Sequence, residues 1–284
     1  MEKIMPLSRR EFIKRSLLMG GGLLAAYPVM IERFTVQVNL YRIALPRLPE
    51  AFENFRIVHL TDFHCGYKAS QAFFAGVIDK VGQIRKDAVV CTGDYIEGGK
   101  LQKSKKQIDT IYPLLNRLHA PCGVYSVFGN HDHRPGFDRA EAWLSRIGQN
   151  MRHKVRAIEK KGQRIWIGGA GDLIHDSPEI DALFRHIPED ECKILLEHNP
   201  DTADIEFKTR IDLMICGHTH GGQVRIPFIG APVLPVRNKK YDCGIIRTDR
   251  LQLFISRGIG STILPLRLNC FPEIAVLELK KELV

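Results

Sequence analysis

The feature that most constrains this chain is a series of apolar runs, each of which ends in polar side chains. The runs over 55–60, 87–94 and 122–132 are strand-like, and a helix-like stretch lies in each interval between them. Ser70 is placed to cap the first of these helices. Strand–helix–strand–helix–strand is the order of parallel βαβ units. The first half of the chain therefore predicts an α/β fold.

Strand-like stretches also precede this half and fill most of the remaining chain. They lie at 34–45, 152–159, 164–169, 192–197, 211–216, 222–227, 241–248, 251–256 and 273–279. Short helices are expected near 138–147 and 179–186. Because no shift in composition marks a linker, we expect one domain over residues 32–284.

The N-terminal segment, residues 1–31, has the layout of an export signal. Arg9 and Arg10 precede an uncharged stretch from Ser16 to Ile31. A helix over that stretch would be about 24 Å long, which is short of the roughly 30 Å hydrocarbon core of a bilayer. The letters S-R-R-x-F-I-K resemble the twin-arginine signal, with Ile13 where Leu is commoner.

That resemblance implies export by the twin-arginine machinery to the periplasm or the outer face of the cytoplasmic membrane. The sequence leaves open whether the segment is cleaved or kept as an anchor. A buried N-terminal helix is disfavoured because the charged residues from Arg9 to Arg15 would flank it.

The overall charge limits the partners of the protein. The formal net charge is +9, and part of this excess belongs to the basic N-terminal segment. A mild positive excess suits an anionic substrate or a membrane surface. Nucleic acid is disfavoured because the chain has neither a long basic tract nor an aromatic platform.

Five of the apolar runs end in side chains that can bind a metal ion. They end, in chain order, in Asp62 and His64, Asp94, Asn130 and His131, His198, and His218 and His220. A single cluster of this kind is more often a polar turn. In open α/β sheets, however, ligands bind beyond the carboxyl ends of the strands, so these side chains can converge on one site.

The chemistry of this set points to divalent metal ions. Aspartate, histidine and asparagine without a thiolate suit Mn²⁺, Fe²⁺, Zn²⁺ or Co²⁺. The candidates are too many for one ion but suit two ions that share a carboxylate. Two ions roughly 3.5–4 Å apart can stabilise the attacking and leaving oxygens of an in-line displacement at phosphorus.

The motifs D-x-H (62–64), G-D (93–94), G-N-H-D (129–132) and G-H-x-H (217–220), with His198, resemble the calcineurin-like metallophosphoesterases. The resemblance implies a four-layer α/β/β/α sandwich with two divalent ions, manganese favoured, at the carboxyl ends of strands. It implies the following roles: Asp62, His64 and His220 hold one ion, Asn130, His198 and His218 hold the other, Asp94 bridges both, and His131 is the catalytic histidine that contacts the phosphoryl or leaving oxygen.

One motif departs from the family pattern. Many relatives read G-D-x-x-D-R-G, whereas this chain reads "GDYIEGG", which offers Glu97 and no arginine. Phosphoprotein phosphatase activity is therefore disfavoured. The layout, including "EHNPD" and "SRGIGSTILPLRLNCFPE", is most similar to bacterial twin-arginine-exported phosphodiesterases of the YaeI/YkuE type.

The implied function is hydrolysis of a phosphodiester or pyrophosphate bond by a metal-bridging hydroxide. The substrate would be an anionic phosphoester, and a lipid-linked one is an option. One alternative is an enzyme similar to the UDP-2,3-diacylglucosamine pyrophosphatases of lipid A synthesis. Another is a non-catalytic metal-binding interaction module, against which the complete ligand set argues.

Two further features leave alternatives open. The apolar stretch 225–236 contains three prolines and cannot be a long central strand. It is either a packed loop or a surface on which Phe228, Ile229, Val233 and Leu234 hold an acyl chain or touch a membrane. Likewise, Arg257 and Arg267 either clamp a phosphate or are structural.

Overall fold

The computed structural model describes residues 8–66 and 69–282, which form two mixed β-sheets flanked by helices. The helices of the described residues are α1 (Arg9–Met30), α2 (Gln71–Gly82), α3 (Leu101–Leu115), α4 (Phe137–Arg146) and α5 (Ile180–Phe184). The strands are β1 (Gln37–Leu45), β2 (Arg56–Leu60), β3 (Ala88–Cys91), β4 (Val124–Ser126), β5 (Lys154–Lys160), β6 (Gln163–Gly169), β7 (Lys193–Leu196), β8 (Leu213–Cys216), β9 (Gly244–Arg247), β10 (Gln252–Ile255) and β11 (Glu273–Lys281).

The first sheet has the strand order β1-β11-β2-β3-β4, in which β2, β3 and β4 are parallel neighbours. Helices α2 and α3 make the two crossovers, so the predicted alternation of strands and helices is confirmed. Ser70 caps α2 as predicted, because its Oγ accepts a hydrogen bond from the backbone N–H of Phe73 at 3.2 Å.

The second sheet has the strand order β5-β6-β7-β8-β10-β9, with β6, β7, β8 and β10 parallel. The predicted strand at 222–227 is wrong. In this stretch Val224 forms only an isolated bridge with Leu268. The chain turns instead, because Gly221 and Gly222 have positive φ and Pro227 has no backbone N–H to donate to a sheet.

Apolar side chains form three buried layers. One layer lies between the first sheet and α2, α3 and α4, and another lies between α5 and the second sheet. The middle layer lies between the two sheets and includes Ile57 of β2 and Ile215 of β8. Neighbouring residues on β2 face opposite layers, since Val58 belongs to the helix-covered one. The α/β/β/α sandwich implied by the resemblance is confirmed.

Burial of both faces explains why the parallel strands read as continuous apolar runs. Each fully buried Ile or Val contributes roughly 1.5–3 kcal/mol relative to an exposed one. The strands leave this apolar environment only at their ends, where the chain turns polar. The fold therefore brings the ends of β2, β3, β4, β7 and β8 to one edge between the sheets, as backbone contacts such as Gly217 N–H to His198 O at 3.0 Å show.

The N-terminal helix α1 joins the rest of the chain at its C-terminal end. The backbone N–H of Arg267 donates to Pro28 O at 3.1 Å, and the carboxylate of Glu32 accepts from the N–H of Cys270 at 2.7 Å. Part of the predicted signal, residues 1–7, lies outside the described residues. Within the described part of the chain, no helix has the length and hydropathy needed to span a membrane. The boundary between segment 1–31 and domain 32–284 stays a prediction.

Candidate metal centre

The residues that follow β2, β3 and β8 adopt an unusual backbone conformation. Positive φ angles of 45° to 70° occur at Asp62, His64, Asp94, His218 and His220. For a residue with a Cβ atom this left-handed region costs about 1–2 kcal/mol. Such strain concentrates at functional sites, where surrounding contacts hold it in place. Here the holding contacts include the N–H of Asp62 to Gly93 O at 3.0 Å and the N–H of His64 to Asp94 O at 2.9 Å.

Two glycines of the motifs are required by close packing around the carboxylates. A Cβ atom at Gly129 would collide with the Asp94 carboxylate, and one at Gly217 would collide with that of Asp62. The glycines of G-N-H-D and G-H-x-H therefore allow the neighbouring loops to approach these carboxylates. This close approach is what turns separate strand ends into one site.

A first cluster contains Asp62, His64 and His220, all of them buried. The two imidazole Nε2 atoms lie 2.9 Å apart. Asp62 Oδ1 lies 3.2 Å from Nε2 of His220 and 3.7 Å from Nε2 of His64. The structure thus brings together the three residues predicted to hold one ion.

A second cluster contains Asp94, His198 and His218, which are also buried. His198 Nε2 lies 3.3 Å from Asp94 Oδ2 and 3.2 Å from His218 Nδ1. Asn130 is the remaining residue predicted for this ion. Its Oδ1 is buried and has no hydrogen-bond partner among the described residues, as expected for an oxygen reserved for a metal ion.

The Asp94 carboxylate lies between the two clusters. Its Oδ2 is 3.4 Å from His64 Nε2 in the first cluster and 3.3 Å from His198 Nε2 in the second. Its Oδ1 accepts a hydrogen bond from the backbone N–H of His131 at 2.8 Å, which fixes the carboxylate plane. This placement fits the predicted bridging role.

Outer hydrogen bonds orient the imidazoles. His198 Nδ1 donates to Thr92 O at 2.7 Å, and His218 Nε2 donates to Pro235 O at 3.0 Å. His64 Nδ1 lies 2.7 Å from Glu97 Oε2, a carboxylate that also accepts. The other nitrogen of each ring therefore faces a cluster, where its lone pair can bind an ion. Imidazole nitrogens and carboxylates that converge in this way fit divalent cations.

The pKa values of the candidate ligands also indicate a site that binds positive charge. Burial disfavours a charged His64, but hydrogen bonds to Asp62 and Glu97 outweigh burial and raise the pKa of His64 to about 10. Burial lowers the pKa of both His218 and His220 to about 4, so these two imidazoles are neutral at pH 7. Metal ions bind neutral imidazoles and ionised carboxylates, so a bound ion would replace the proton that His64 carries at pH 7 in the metal-free protein.

His131 occupies the mouth of the site without joining either predicted ligand set. Its Nδ1 donates to the backbone oxygen of Glu97 at 2.9 Å, which leaves Nε2 for a substrate oxygen. Its ring packs edge-on against His64, with the ring centres 4.7 Å apart. Burial lowers the pKa of His131. The geometry fits a residue that contacts the reacting group.

Two supporting residues had no role in the sequence prediction. The buried carboxylate of Asp132 accepts from the backbone N–H groups of Asp94 at 2.7 Å, Tyr95 at 3.0 Å and Gly129 at 3.0 Å. It therefore holds the loops after β3 and β4 together. Its signal in the sequence is the last letter of G-N-H-D. The second residue is Glu97, which was noted only as a departure from the family pattern.

The two arginines left open by the sequence have structural contacts. Arg267 is fully buried, and its guanidinium donates to backbone oxygens, including Arg257 O at 2.8 Å and Cys270 O at 3.2 Å. Arg257 pairs with the buried Glu273 at 3.0 Å. Of the two alternatives, the structure favours the structural one for both residues.

Residues 55–222 match the sequence model described as calcineurin-like phosphoesterase. The chain belongs to the calcineurin-like phosphoesterase family. The matched range contains every candidate ligand and His131. Members of this family normally bind divalent metal ions. The described residues offer three groups that could hold them, namely the two clusters and a third group of His64, Glu97 and His131. The role of each residue toward each ion stays a prediction.

Curated relatives in the family are similar over most of their length. The chain is 30% identical to the uncharacterized metallophosphoesterase YkuE of Bacillus subtilis (strain 168), over 96% of this chain and 98% of YkuE. It is 29% identical to the phosphodiesterase YaeI of Escherichia coli (strain K12), over 79% of this chain and 82% of YaeI. An uncharacterized metallophosphoesterase of Aquifex aeolicus (strain VF5) is 26% identical, over 91% and 97%. The family and these relatives support a phosphoester hydrolase.

Proposed function

We propose that the protein is an exported, two-metal phosphodiesterase that hydrolyses a phosphodiester or pyrophosphate bond. The observation that carries the proposal is the position of Asp94, whose Oδ2 lies within 3.4 Å of a histidine of each cluster. A carboxylate shared in this way suits two ions at a short separation. The relative YaeI, whose name is phosphodiesterase, supports the same reaction class.

The chain's own residues would divide the work of hydrolysis. Divalent ions, manganese favoured, would supply a nucleophilic water at neutral pH and neutralise charge on the phosphoryl oxygens. Asp62, His64 and His220 would hold one ion, and Asn130, His198 and His218 the other. As the water oxygen adds to phosphorus and the ester bond breaks, His131 protonated on Nε2 would hydrogen-bond the leaving oxygen and give it that proton. The proton lost by the water would pass through solvent to reprotonate His131.

The contacts of Glu97 support a diester over a phosphoprotein substrate. In many relatives an aspartate at this position supports the catalytic histidine. Here the Glu97 carboxylate lies 2.7 Å from His64 Nδ1 but 3.8 Å from His131 Nδ1. His131 is instead oriented by a backbone oxygen. The family arrangement that assists a phosphoprotein phosphatase is therefore altered.

A substrate screen of the metal-reconstituted protein tests the proposal. The Mn²⁺-loaded chain should hydrolyse bis(p-nitrophenyl) phosphate with a higher kcat/KM than p-nitrophenyl phosphate. Nucleotides and lipid pyrophosphates complete the panel, and a His131→Ala variant serves as the inactive control. A preference for the monoester would contradict the diesterase assignment. Absence of turnover with Mn²⁺, Fe²⁺, Zn²⁺ and Co²⁺ would favour the alternative of a metal-binding interaction module.

The second candidate function is a pyrophosphatase similar to those that cleave UDP-2,3-diacylglucosamine. The observation in its favour is an apolar cleft of about 440 Å³ that His220 lines together with Val233 and Leu264. An acylated sugar nucleotide would place its acyl chains in such a cleft. Faster cleavage of this substrate than of any soluble diester would select the candidate.

Export by the twin-arginine route is part of the same proposal. Arg9 and Arg10 are exposed at the start of α1, directly after the capping residue Ser8. Changing both arginines to lysine keeps the charge but removes the paired guanidinium groups. Precursor should then accumulate in the cytoplasm, as fractionation of producing cells would show. Normal export of the variant would point to the general secretory route or to an ordinary anchor.

A further inference from the structure

The mouth of the metal centre carries an exposed apolar surface. Two loops, one over 225–236 and one over 262–266, contribute the side chains. We define the apolar rim as Phe228, Ile229, Val233, Ile263 and Leu264. Phe228 is fully exposed, and Ile229 and Val233 are 72% and 73% exposed. Exposed apolar residues scattered singly are ordinary, but a contiguous group beside a site marks an interaction surface.

The apolar rim borders the cleft next to the first metal cluster. Val233 and Leu264 belong to the rim and also line the 440 Å³ cleft, and His220 lies in the wall of that cleft. A molecule bound on the rim would therefore lie beside a cleft whose wall includes His220 of the first cluster. The sequence left open whether 225–236 is a packed loop or an exposed surface. Leu234 is buried, as in a packed loop, whereas Phe228 is exposed.

The backbone of the first loop is bent so that Phe228 projects outward. Ile226 and Gly230 exchange two backbone hydrogen bonds of 2.9 Å, which closes a tight turn. At its tip Phe228 has a φ of 68°, a left-handed conformation that is unfavourable for a bulky side chain. Strain of this kind concentrates at functional sites. An exposed aromatic ring held in a strained turn is therefore a candidate contact for a partner.

The rim is continuous with the end of the N-terminal helix. Arg33 donates to Pro265 O at 2.7 Å, and the N–H of Arg267 donates to Pro28 O at 3.1 Å. Close to these contacts, Met30 and Ile31 are also exposed. The segment that directs this chain to a membrane in our proposal therefore ends next to the rim.

Positive charge accompanies this surface. Arg237, Lys239 and Lys240 follow the first loop directly and are exposed, and no acidic residue occurs between 225 and 241. Lysine and arginine beside an exposed apolar group are typical of proteins that bind anionic lipid surfaces. Two carboxylates, those of Asp201 and Asp204, also contact this segment at Asn238. The three basic side chains therefore leave a small positive excess, which favours an anionic lipid surface over a neutral partner.

We propose that the apolar rim docks on an anionic lipid bilayer, with Phe228 and Ile229 inserted among the acyl chains. In this orientation the cleft beside His220 opens toward the bilayer and can receive an amphiphilic phosphoester from it. The substrate part of this inference rests on the proposed phosphodiesterase function. The docking part does not, because membrane binding requires no catalysis.

The test places a fluorescent reporter at the tip of the rim. In the full-length protein, Phe228→Trp emission should shift to the blue on addition of phosphatidylglycerol-containing vesicles. Brominated lipids in the same vesicles should then quench it. The unsubstituted protein, which contains Trp143 and Trp166, gives the background. Asp249→Trp is the matched control, since residue 249 lies in the turn before β10, at the end of that strand remote from the metal centre.

Three outcomes would overturn the docking proposal. In the first, the protein binds vesicles through its N-terminal segment while the emission of the Phe228→Trp reporter stays unchanged. In the second, the residue 249 reporter is quenched as strongly, which would indicate unspecific adsorption. In the third, Phe228→Trp emission is already shifted without vesicles and the protein elutes as a dimer, so that a second copy covers the rim.

A double variant connects docking to turnover. Phe228→Ser with Ile229→Ser should lower vesicle affinity by at least about 100-fold, because two apolar side chains no longer leave water. Cleavage of a vesicle-borne pyrophosphate should fall in parallel, while turnover of a soluble diester stays unchanged. Equal loss on both substrates would contradict the docking role. If the unsubstituted protein cleaved neither substrate, the proposed function would be rejected. The docking proposal would then be decided by vesicle binding alone.

Discussion

The two metal clusters have similar first ligands but differ in what supports them. In the first cluster the carboxylate of Glu97 orients His64 at 2.7 Å. In the second, backbone oxygens orient both histidines, Thr92 O for His198 and Pro235 O for His218. A carboxylate partner makes an imidazole a stronger donor to a metal ion, and a side chain can be replaced where a carbonyl cannot. The first cluster is therefore the tunable one and the second is fixed by the fold.

The largest effect is expected where the two clusters meet. Asp94→Ala removes the carboxylate whose Oδ2 lies within 3.4 Å of imidazole nitrogens of both clusters. Both ions should lose affinity together, and turnover should fall further than the about 100-fold loss typical of a change in an outer contact. Elemental analysis after dialysis, with parallel diesterase assays, measures both. Two ions retained in an active variant would show that Asp94 is not shared.

Replacing the predicted catalytic histidine should lower the rate of hydrolysis without changing the number of bound metal ions. His131→Ala should leave both clusters intact, because the resemblance assigns His131 to neither ligand set and its Nδ1 donates to Glu97 O. We expect two ions per chain and a rate lower by about 10²–10⁴-fold, as for loss of a general acid. Loss of an ion in this variant would mean that His131 is a ligand.

Glu97→Gln should distinguish the clusters. The amide keeps the size of the side chain but loses the charge that supports His64. The affinity of one ion should fall by about 10–100-fold and that of the other should stay the same, as calorimetric titration with Mn²⁺ would resolve. The exposed Glu206→Gln is the matched control. An equal loss of affinity for both ions would contradict the proposed difference between the clusters.

The smallest effect is expected in the metal-free protein at acid pH. Burial raises the pKa of Glu97, but the hydrogen bond and charge of His64 outweigh burial and hold that pKa below its usual value. A depressed carboxyl pKa stabilises the fold above the unfolded-state pKa of about 4.3, and this stability is lost as the pH falls through the folded value. Thermal unfolding between pH 6 and pH 3 should therefore be steeper in pH for the wild type than for Glu97→Gln. Identical curves would contradict the Glu97–His64 pairing.

The sequence predicted the parts of the site that depend on strand ends. Asp62, Asp94 and His198 follow apolar runs, and parallel strands place their carboxyl ends together, so convergence was predictable. The failed strand at 222–227 has a different cause. Its apolar–polar alternation resembles a strand, but the turn at Gly221 and Gly222 decides the path, and tertiary contacts, not periodicity, fix that turn.

Supporting contacts were beyond the reach of sequence reasoning. Arg267 reads as a surface residue by type, yet it is buried because backbone oxygens of its own loop surround the guanidinium. Likewise, the pairing of Glu97 with His64 depends on side-chain rotamers across a separation of 33 positions. Exposure of Phe228 also needed the structure, since an apolar loop is equally compatible with a packed one.

Electron paramagnetic resonance of the Mn²⁺-loaded full-length protein tests the central claim most directly, namely that one carboxylate joins two ions. Two Mn²⁺ ions bridged by Asp94 should give the spectrum of an exchange-coupled pair, and Asp94→Ala should abolish that coupling. A wild-type protein that binds two Mn²⁺ ions but shows only the signal of isolated ions would contradict the account.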